Sequence, residues 1–449
     1  MNILTAISGI YGELRGYHRI SIRNRVAANE RLTREELAAL TTTLFNEQVH
    51  RSIERFPQYA ERVRTHCGSV PAPGEQVEPR TLPVWTRQDQ RAFFDQQPRP
   101  ADTAYTHQTS GSTSLPIWFY VTRESYEWRT AIMDRSYSWA RAEEGQRSLH
   151  VWAAPQKRPS ASQRIKRSIH LGLQRRVHYD GFQEMGEAQR MECIQLINRS
   201  RPVSVVGYAG MMVDIARTVR DHPGVLTHKP ATMVSAAEGL QPGQREFLET
   251  HLVGTVFGSY GSREFMSVGM ECEHHTGYHL ATDNLLVEVV DDDGVPVAPG
   301  ETGRIVITDL HNAATPFIRY EIGDYGVLAP GDEQCPCGRP FPLLRSVDGR
   351  LQDVVRTPEG GKVTGLYVTF TMRQFGWIGG WQVIQNEPDR ITVRLLTEVD
   401  LTEERTGPVS DLLRRKLGDT MTIEYERVNE LTRRATGKVA LIMTTLGDE

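Results

Sequence analysis

No stretch of this 449-residue sequence reaches the roughly 18 consecutive apolar residues needed to span a bilayer, so no membrane partner is expected. The N-terminus, MNILTAISGIYGELRGYHRI, lacks a cationic start followed by an unbroken apolar core and does not read as a secretory signal. A cytoplasmic location is the expectation. Positive charge is not in surplus either: 52 Lys and Arg against 56 Asp and Glu leave a net charge of -4, which offers no broad field to a phosphate backbone. Nucleic acid is therefore not an expected partner, and the basic stretch Lys157 to Arg176 reads as a solvated helix face or a loop. The five cysteines are odd in number and unevenly spread, which argues against a disulfide framework. Also missing are G-x-x-x-x-G-K-S/T, a strand-linked G-x-G-x-x-G and G-x-S-x-G, so the familiar phosphate-loop, dinucleotide and hydrolase readings lose support.

What is present is enough apolar sequence, 39%, for a large core, in a chain long enough for one large and one smaller domain. From about Arg31 to Val63 the pattern is helical, with Thr33 before Glu35 and Glu36 as a start signal. Four apolar segments follow, HVWAA (150–154), VSVVGY (203–208), TMVSAA (232–237) and TVFGSY (255–260), separated by helical stretches. That alternation predicts parallel strands with crossover helices, whose ligands gather beyond the carboxyl ends of the strands. Past Leu280 the pattern becomes antiparallel, as in LLVEVVDDDGVPV, with Asp293-Gly294 as a hairpin turn. WQVIQ, ITVRLL and a helix from about Glu403 to Leu417 form a last, small unit. The expected fold is α/β, with a large N-terminal domain of mixed sheets and flanking helices (1–348) and a small α+β C-terminal domain (349–449).

Three segments carry side chains suited to a nucleotide. TSGSTSLP, from Thr109, sets hydroxyls and backbone N–H groups in a loop after the extended YTHQ, a composition that plain surface turns share. FGSYGSRE ends an apolar strand and places the carboxylate of Glu264 at the sheet's carboxyl edge, where it can hold magnesium. TPFIRYEIGDYG offers Asp324 after Gly323, able to accept from two ribose hydroxyls.

Their order is the decisive signal. A TSGST loop, YGSRE about 150 residues later, TD followed by P-F-I-R-Y-E-I-G-D, G-R-L-Q-D and a terminal T-G-K together resemble the adenylate-forming superfamily of acyl-CoA synthetases, luciferases and peptide-synthetase adenylation domains. YGSRE, TDLHNAATPFIRYEIGDYG and CPCGR are most similar to its phenylacetate-CoA ligase group, in the capsule-biosynthesis-like branch. The resemblance implies that Thr109, Ser110, Gly111, Ser112 and Thr113 cradle the departing pyrophosphate of ATP, that Glu264 holds Mg2+ and that Asp324 grips the ribose. It places Ala237, Glu238 and Gly239, with Gly258, Ser259, Tyr260, Gly261 and Ser262, around the nucleotide, and Arg350 against ribose or phosphate at the domain junction. Lys438 in RRATGKVAL falls where these enzymes keep a lysine beside the attacked phosphate, on a mobile C-terminal domain that turns about Gln352 and Asp353. Trp152, Tyr208, Met211, Met212 and Ala236 are candidates for the acid pocket or for core.

The implied activity is an ATP-dependent ligase that forms an acyl-AMP and passes the acyl group to coenzyme A or to an amine or other nitrogen nucleophile, in a polysaccharide or natural-product pathway. Its partners are a small carboxylic acid and an acceptor, and a homodimer is expected. The alternatives are a nucleotidyltransferase that leaves AMP on its target and a non-catalytic nucleotide-binding protein. Separately, Cys272, Cys335 and Cys337, with a histidine from the run Cys272 to His279, suit a closed tetrahedral site for a structural Zn2+. Either His279 or His275 can be the fourth ligand, with the family's recurrent Gly-x-His favouring His279.

Overall fold

A computed structural model describes residues 13, 18–109, 117–153, 171–172, 174–181, 185–236, 239–240, 243–350, 354–432 and 439–446. Among the described residues, the N-terminal helical cover comprises Arg19–Asn29, Arg34–Arg55 and Pro57–Cys67. Thr33 starts the second: its hydroxyl accepts from the Glu36 N–H while the Glu36 carboxylate accepts from the Thr33 N–H, a reciprocal capping box. The third begins at Pro57, which lacks an N–H and has its φ preset for a helix start, so the chain re-enters a helix after Phe56 instead of continuing one. Phe56, Tyr59 and Val63 pack into the largest apolar cluster with Trp85, Phe93, Phe265 and Phe317.

A hairpin of β1 (Thr103–Gln108) and β2 (Trp118–Thr122) lies outside the main sheet. The parallel strands follow as β3 (Ser148–Ala153), β4 (Arg176–Gly181), β5 (Ser204–Gly207), β6 (Thr232–Ser235) and β7 (Thr255–Ser262). Four of them coincide with the apolar segments expected, and every neighbouring pair among these five is parallel. β4 is an edge strand that the pattern did not reveal. Alternation splits the buried residues between two faces: Leu149, Val151, Val205, Met233 and Val256 join one cluster, and Val206, Val234 and Phe257 another.

β7 is where the sheet changes character. It pairs parallel with β6 and antiparallel with β8 (Met266–Met270). Beyond β8 come β9 (Tyr278–Leu280), β10 (Leu285–Val290), β11 (Thr302–Asp309), β12 (Tyr320–Leu328) and β13 (Leu343–Arg350), all antiparallel to their neighbours. The sheet order is β10-β11-β12-β13-β9-β8-β7-β6-β5-β3-β4. Asp293 and Gly294 lie in the tight turn after β10, with Gly294 in the left-handed region at φ 79. β13 runs through position 349, where the sequence places a domain boundary, and ends at Arg350.

The C-terminal unit has a hairpin, β14 (Val354–Arg356) and β15 (Lys362–Thr364), and a second sheet made from β16 (Gly380–Glu387), β17 (Arg390–Leu396), β18 (Thr422–Val428) and β19 (Ile442–Thr444). Helix Glu403–Leu417 packs on this sheet through Val409, Leu413 and Leu417. The observed class is thus α/β with an α+β C-terminal unit.

Three arginine–carboxylate pairs are buried in the large unit: Arg129–Asp309 at 2.5 Å, Arg135–Asp283 at 2.7 Å and Arg319–Glu288 at 3.1 Å. Arg319 also donates to the carbonyls of Leu82 and Gly294, both at 2.7 Å, and so joins β12 to two turns. Removing the cation alone strands a buried carboxylate and two carbonyls. Arg319→Met is therefore expected to destabilise the fold by about 3–5 kcal/mol, with part recovered in Arg319→Met/Glu288→Leu. Urea or thermal unfolding checks this, and an Arg319→Met protein with the unfolding midpoint of wild type would contradict it.

Candidate nucleotide site and metal-ligand cluster

The change of strand direction at β7 leaves its carboxyl end between two half-sheets. There Ser259 Oγ donates to the Ser235 carbonyl of β6 at 3.0 Å, and the Tyr260 hydroxyl donates to Asp324 Oδ2 of β12 at 2.9 Å. Gly323, at φ 87, takes a left-handed conformation that a side chain would strain, and so turns the chain just before Asp324. Asp324 is in register with Arg350 of β13.

Just past β7, Glu264 is 4% exposed. Its Oε1 lies 3.7 Å from Arg87 Nη1, while Arg87 Nη2 donates to Thr109 Oγ1 at 3.2 Å. Thr109 closes the base of the β1–β2 loop from both sides, accepting from the Ile117 N–H and donating to the Ile117 carbonyl, each at 3.0 Å. Arg263 also reaches the Gln108 carbonyl at 3.2 Å. Arg87 can do this because Thr86 caps its helix, Arg87–Gln96, through a box with Asp89 and fixes the first turn. On the other side of Glu264, burial and then the Glu264 carboxylate itself hold the Tyr320 phenol well above its ordinary range. Thr109, Arg87 and Glu264 thus form one linked group, with Tyr320 beside it, and Tyr260 with Asp324 forms a second at the same strand end. A buried carboxylate at the carboxyl end of a strand suits a hard divalent cation such as Mg2+, which takes oxygen ligands.

On the antiparallel side, Cys272, His279, Cys335 and Cys337 bring one ligand atom each within 4.8 Å of one another. Cys272 Sγ lies 3.5 Å from Cys335 Sγ, and Cys337 Sγ lies 3.4 Å from His279 Nε2. With Zn–S bonds of about 2.3 Å, a tetrahedron sets its ligand atoms roughly 3.4–3.8 Å apart, so the donor set fits zinc in chemistry and these two separations match it. His279 Nδ1 lies 3.3 Å from the Phe341 carbonyl, an outer partner that turns Nε2 toward the sulfurs. Burial pushes His279 down to about 4, which keeps the ring neutral, as ligation requires. The cluster also sits where the sheet is thinnest, since β9 has only three residues between β8 and β13.

The chain is similar to several known proteins. Residues 355–445 match the CapK C-terminal domain. Phenylacetate-coenzyme A ligase of Escherichia coli is 33% identical over 126 residues, that of Pseudomonas putida 28% over 177, and Protein CapK of Staphylococcus aureus 24% over 254. The matched stretches cover 27%, 38% and 55% of this chain and 28%, 39% and 53% of those relatives. A crystal structure of 2-hydroxyisobutyryl-CoA ligase superposes over 93% of this chain and 91% of its own, with a TM-score of 0.69 at 18% identity. The amide bond synthetase McbA from Marinactinospora thermotolerans superposes over 76% and 68%, with a TM-score of 0.51 at 16% identity. The chain shares its fold with these ligase structures and is similar, over part of its length, to phenylacetate-coenzyme A ligase and CapK.

Within this fold the residues expected from sequence separate into groups. Gly258, Ser259, Tyr260, Gly261 and Ser262 lie on β7, Glu264 just past it, Asp324 bonded to Tyr260 and Thr109 linked to Glu264 through Arg87. Ser110, Gly111, Ser112, Thr113, Ala237, Glu238, Gln352, Asp353 and Lys438 lie outside the described residues, as does the side chain of Arg350, while Gly239 lies in a described stretch before helix Gln244–His251. Trp152 and Tyr208 meet edge to face at 5.1 Å, and Ala236 packs in the cluster that Trp152 flanks. Met211 and Met212, at 1% and 0% exposure, sit in the core cluster on the other face. One expectation is corrected: His275 is not among the clustered ligands. Its Nδ1 instead lies 3.1 Å from Glu271 Oε2, on a left-handed turn (φ 52) that follows Cys272. Sequence reasoning missed Arg87 entirely, because a lone arginine after a threonine cap carries no signal until folding sets it between Thr109 and Glu264.

Two outcomes follow from this geometry. Tyr260→Phe loses a hydrogen bond to a charged acceptor, and adenine-nucleotide binding should weaken about five- to tenfold by titration calorimetry without a lower melting temperature; unchanged affinity would count against the Tyr260–Asp324 arrangement. Purified protein should carry about one zinc per chain by inductively coupled plasma mass spectrometry, and Cys337→Ser should lose most of it and melt at a lower temperature. A wild-type protein without zinc contradicts the assignment.

Proposed function

We propose that the protein uses ATP to activate a carboxylic acid as an acyl-AMP and then transfers the acyl group to coenzyme A or to an amine or other nitrogen nucleophile. The observation that carries this reading is the connection of Thr109, Arg87 and Glu264 at the same sheet end as Tyr260 and Asp324. In this reading those separate stretches of chain would act there as phosphate loop base, metal-binding carboxylate and ribose acceptor.

In the first step an oxygen of the substrate carboxylate attacks the α-phosphorus. The bond from that phosphorus to the oxygen bridging it to the β-phosphate breaks, and pyrophosphate leaves. No side chain acts as nucleophile, so the protein's part is alignment and charge neutralisation. Asp324 accepts from the ribose hydroxyls, and the loop from Thr109 to Thr113 cradles the pyrophosphate with its N–H groups and hydroxyls. Glu264 would hold Mg2+, which when bound supplies positive charge against the leaving group. Lys438, brought by the C-terminal unit (349–449) to the large unit (1–348), stabilises charge around the α-phosphate. In the second step a thiol or amine attacks the acyl carbon, AMP leaves and the nucleophile's proton passes to solvent. Rotation of the C-terminal unit about Gln352 and Asp353 would exchange Lys438 for the acceptor.

The aromatic pair Trp152 and Tyr208, at the ends of β3 and β5, supports an aryl or medium-chain acyl acid. Cys272, His279, Cys335 and Cys337 would hold a structural zinc with no open position for chemistry. The similarity to phenylacetate-coenzyme A ligases and to CapK supports a ligase, and the motif resemblance to the capsule-biosynthesis-like branch places it in a polysaccharide or natural-product pathway in this reading.

The test is pyrophosphate release from ATP across a panel of carboxylic acids, with products identified by mass spectrometry. AMP with a thioester or an amide is the expected result. AMP covalently left on the target identifies a nucleotidyltransferase instead, and no turnover with any acid overturns ligase activity. Lys438→Ala should bind ATP as wild type does and slow adenylation at least a hundredfold, on the order of 3 kcal/mol in the barrier. Adenylation at the wild-type rate removes Lys438 from the mechanism.

A further inference from the structure

Behind the proposed nucleotide strand lies a charged pair that the reaction above does not use. Arg245, on helix Gln244–His251, places Nη2 2.8 Å and 2.7 Å from the two oxygens of Glu271, and its Nη1 donates to the Val256 carbonyl of β7. Glu271 Oε2 in turn accepts from the Gly258 N–H at 2.7 Å, while the Glu271 N–H donates to the Gly258 carbonyl at 3.0 Å. His275 Nδ1 lies 3.1 Å from the same carboxylate oxygen. The pair therefore grips β7 by the carbonyl of one residue and both backbone groups of the next but one, immediately before Ser259 and Tyr260.

Gly258 is what lets the carboxylate come so close. A Cβ added there would stand 3.1 Å from Glu271 Cδ and 3.2 Å from both Glu271 Oε2 and Tyr278 Cε1. Both residues that press on this glycine are chain neighbours of clustered metal ligands: Glu271 precedes Cys272, and Tyr278 precedes His279. Glu271 is 8% exposed, and hydrogen bonds that involve a charged group in such a place are strong and sensitive to the loss of one partner.

We propose that Arg245 and Glu271 are positioning residues for adenine-nucleotide binding, and that Glu271 and Tyr278 carry the order of the Cys/His cluster to Gly258. A filled cluster then holds β7 in its nucleotide-binding shape, and an emptied one releases it. This rests on the proposed nucleotide site, and the experiment separates the two.

The 449-residue protein with its zinc, Glu271→Gln and Arg245→Lys are compared for AMP affinity by titration calorimetry, zinc content by mass spectrometry, and amide hydrogen exchange in peptides covering 255–260. AMP is the probe because its binding needs no magnesium. Glu271→Gln should keep its zinc and its circular dichroism spectrum, yet bind AMP about tenfold more weakly and exchange the Gly258 amide faster. Treating wild type with a zinc chelator should produce the same two changes. Wild-type affinity and exchange in Glu271→Gln overturn the positioning role. If that variant does not fold, Arg245→Lys, which keeps the charge but loses the two-oxygen contact, decides the same question by the same readouts. A folded, zinc-depleted protein with undiminished AMP affinity overturns the coupling alone. Wild-type protein that binds no adenine nucleotide overturns the proposed function and this inference together.

Discussion

The hydrogen bond from Tyr260 to Asp324 joins two differently built halves of one sheet, and the candidate site exists because of that join. β7 is parallel to β6 and antiparallel to β8, so its carboxyl end belongs to both halves. A purely parallel sheet would present loops and helix N-termini at that end but no Asp324, which reaches it from β12 across the antiparallel half. The strand's own residues supply the small side chains that leave room at the edge, and the turn that follows delivers Glu264.

The surrounding structure resists the ways this edge could loosen. Arg87 spans the gap between the hydroxyl loop base and Glu264, and its guanidinium offsets the negative charge that a buried carboxylate would otherwise hold unpaired. Arg319 ties the start of β12, a few residues before Asp324, to turns at Leu82 and Gly294. On the far side, β9 contributes only three residues to the sheet, pairing through two residues with each neighbour. The Cys/His cluster lies at that thin place, drawing on the end of β8, on β9 and on the connection between β12 and β13.

Much of this architecture is legible in the sequence where one local rule decides the outcome. β5 and β6 read as short apolar runs because they are buried on both faces, and helix Glu403–Leu417 reads correctly because acidic residues open it and Gly418 ends it. The break at Pro57 is a proline rule that a longer helical pattern concealed. β4, RVHYDG, escapes notice because an edge strand needs only one partner and tolerates His178 and Asp180. At the site, Thr109, Glu264 and Asp324 are legible through the order of their motifs, which is information about relatives and not about geometry. Arg87, Arg245 and Glu271 are illegible, since each acts only through neighbours brought close by folding. His275 shows the limit from the other direction: four residues from His279 and equally able to ligate, it is turned by the backbone to face Glu271. The sequence holds both imidazoles, and the fold chooses between them.

The most direct measurement is a crystal structure of the protein with an adenine nucleotide bound. The account predicts ribose hydroxyls on Asp324, phosphates between the Thr109 loop and Glu264 with Arg87 turned toward them, and the base lying along Gly258, Ser259 and Tyr260. A nucleotide seated elsewhere, with Asp324 and Glu264 free of contact to it, would contradict the account at its centre.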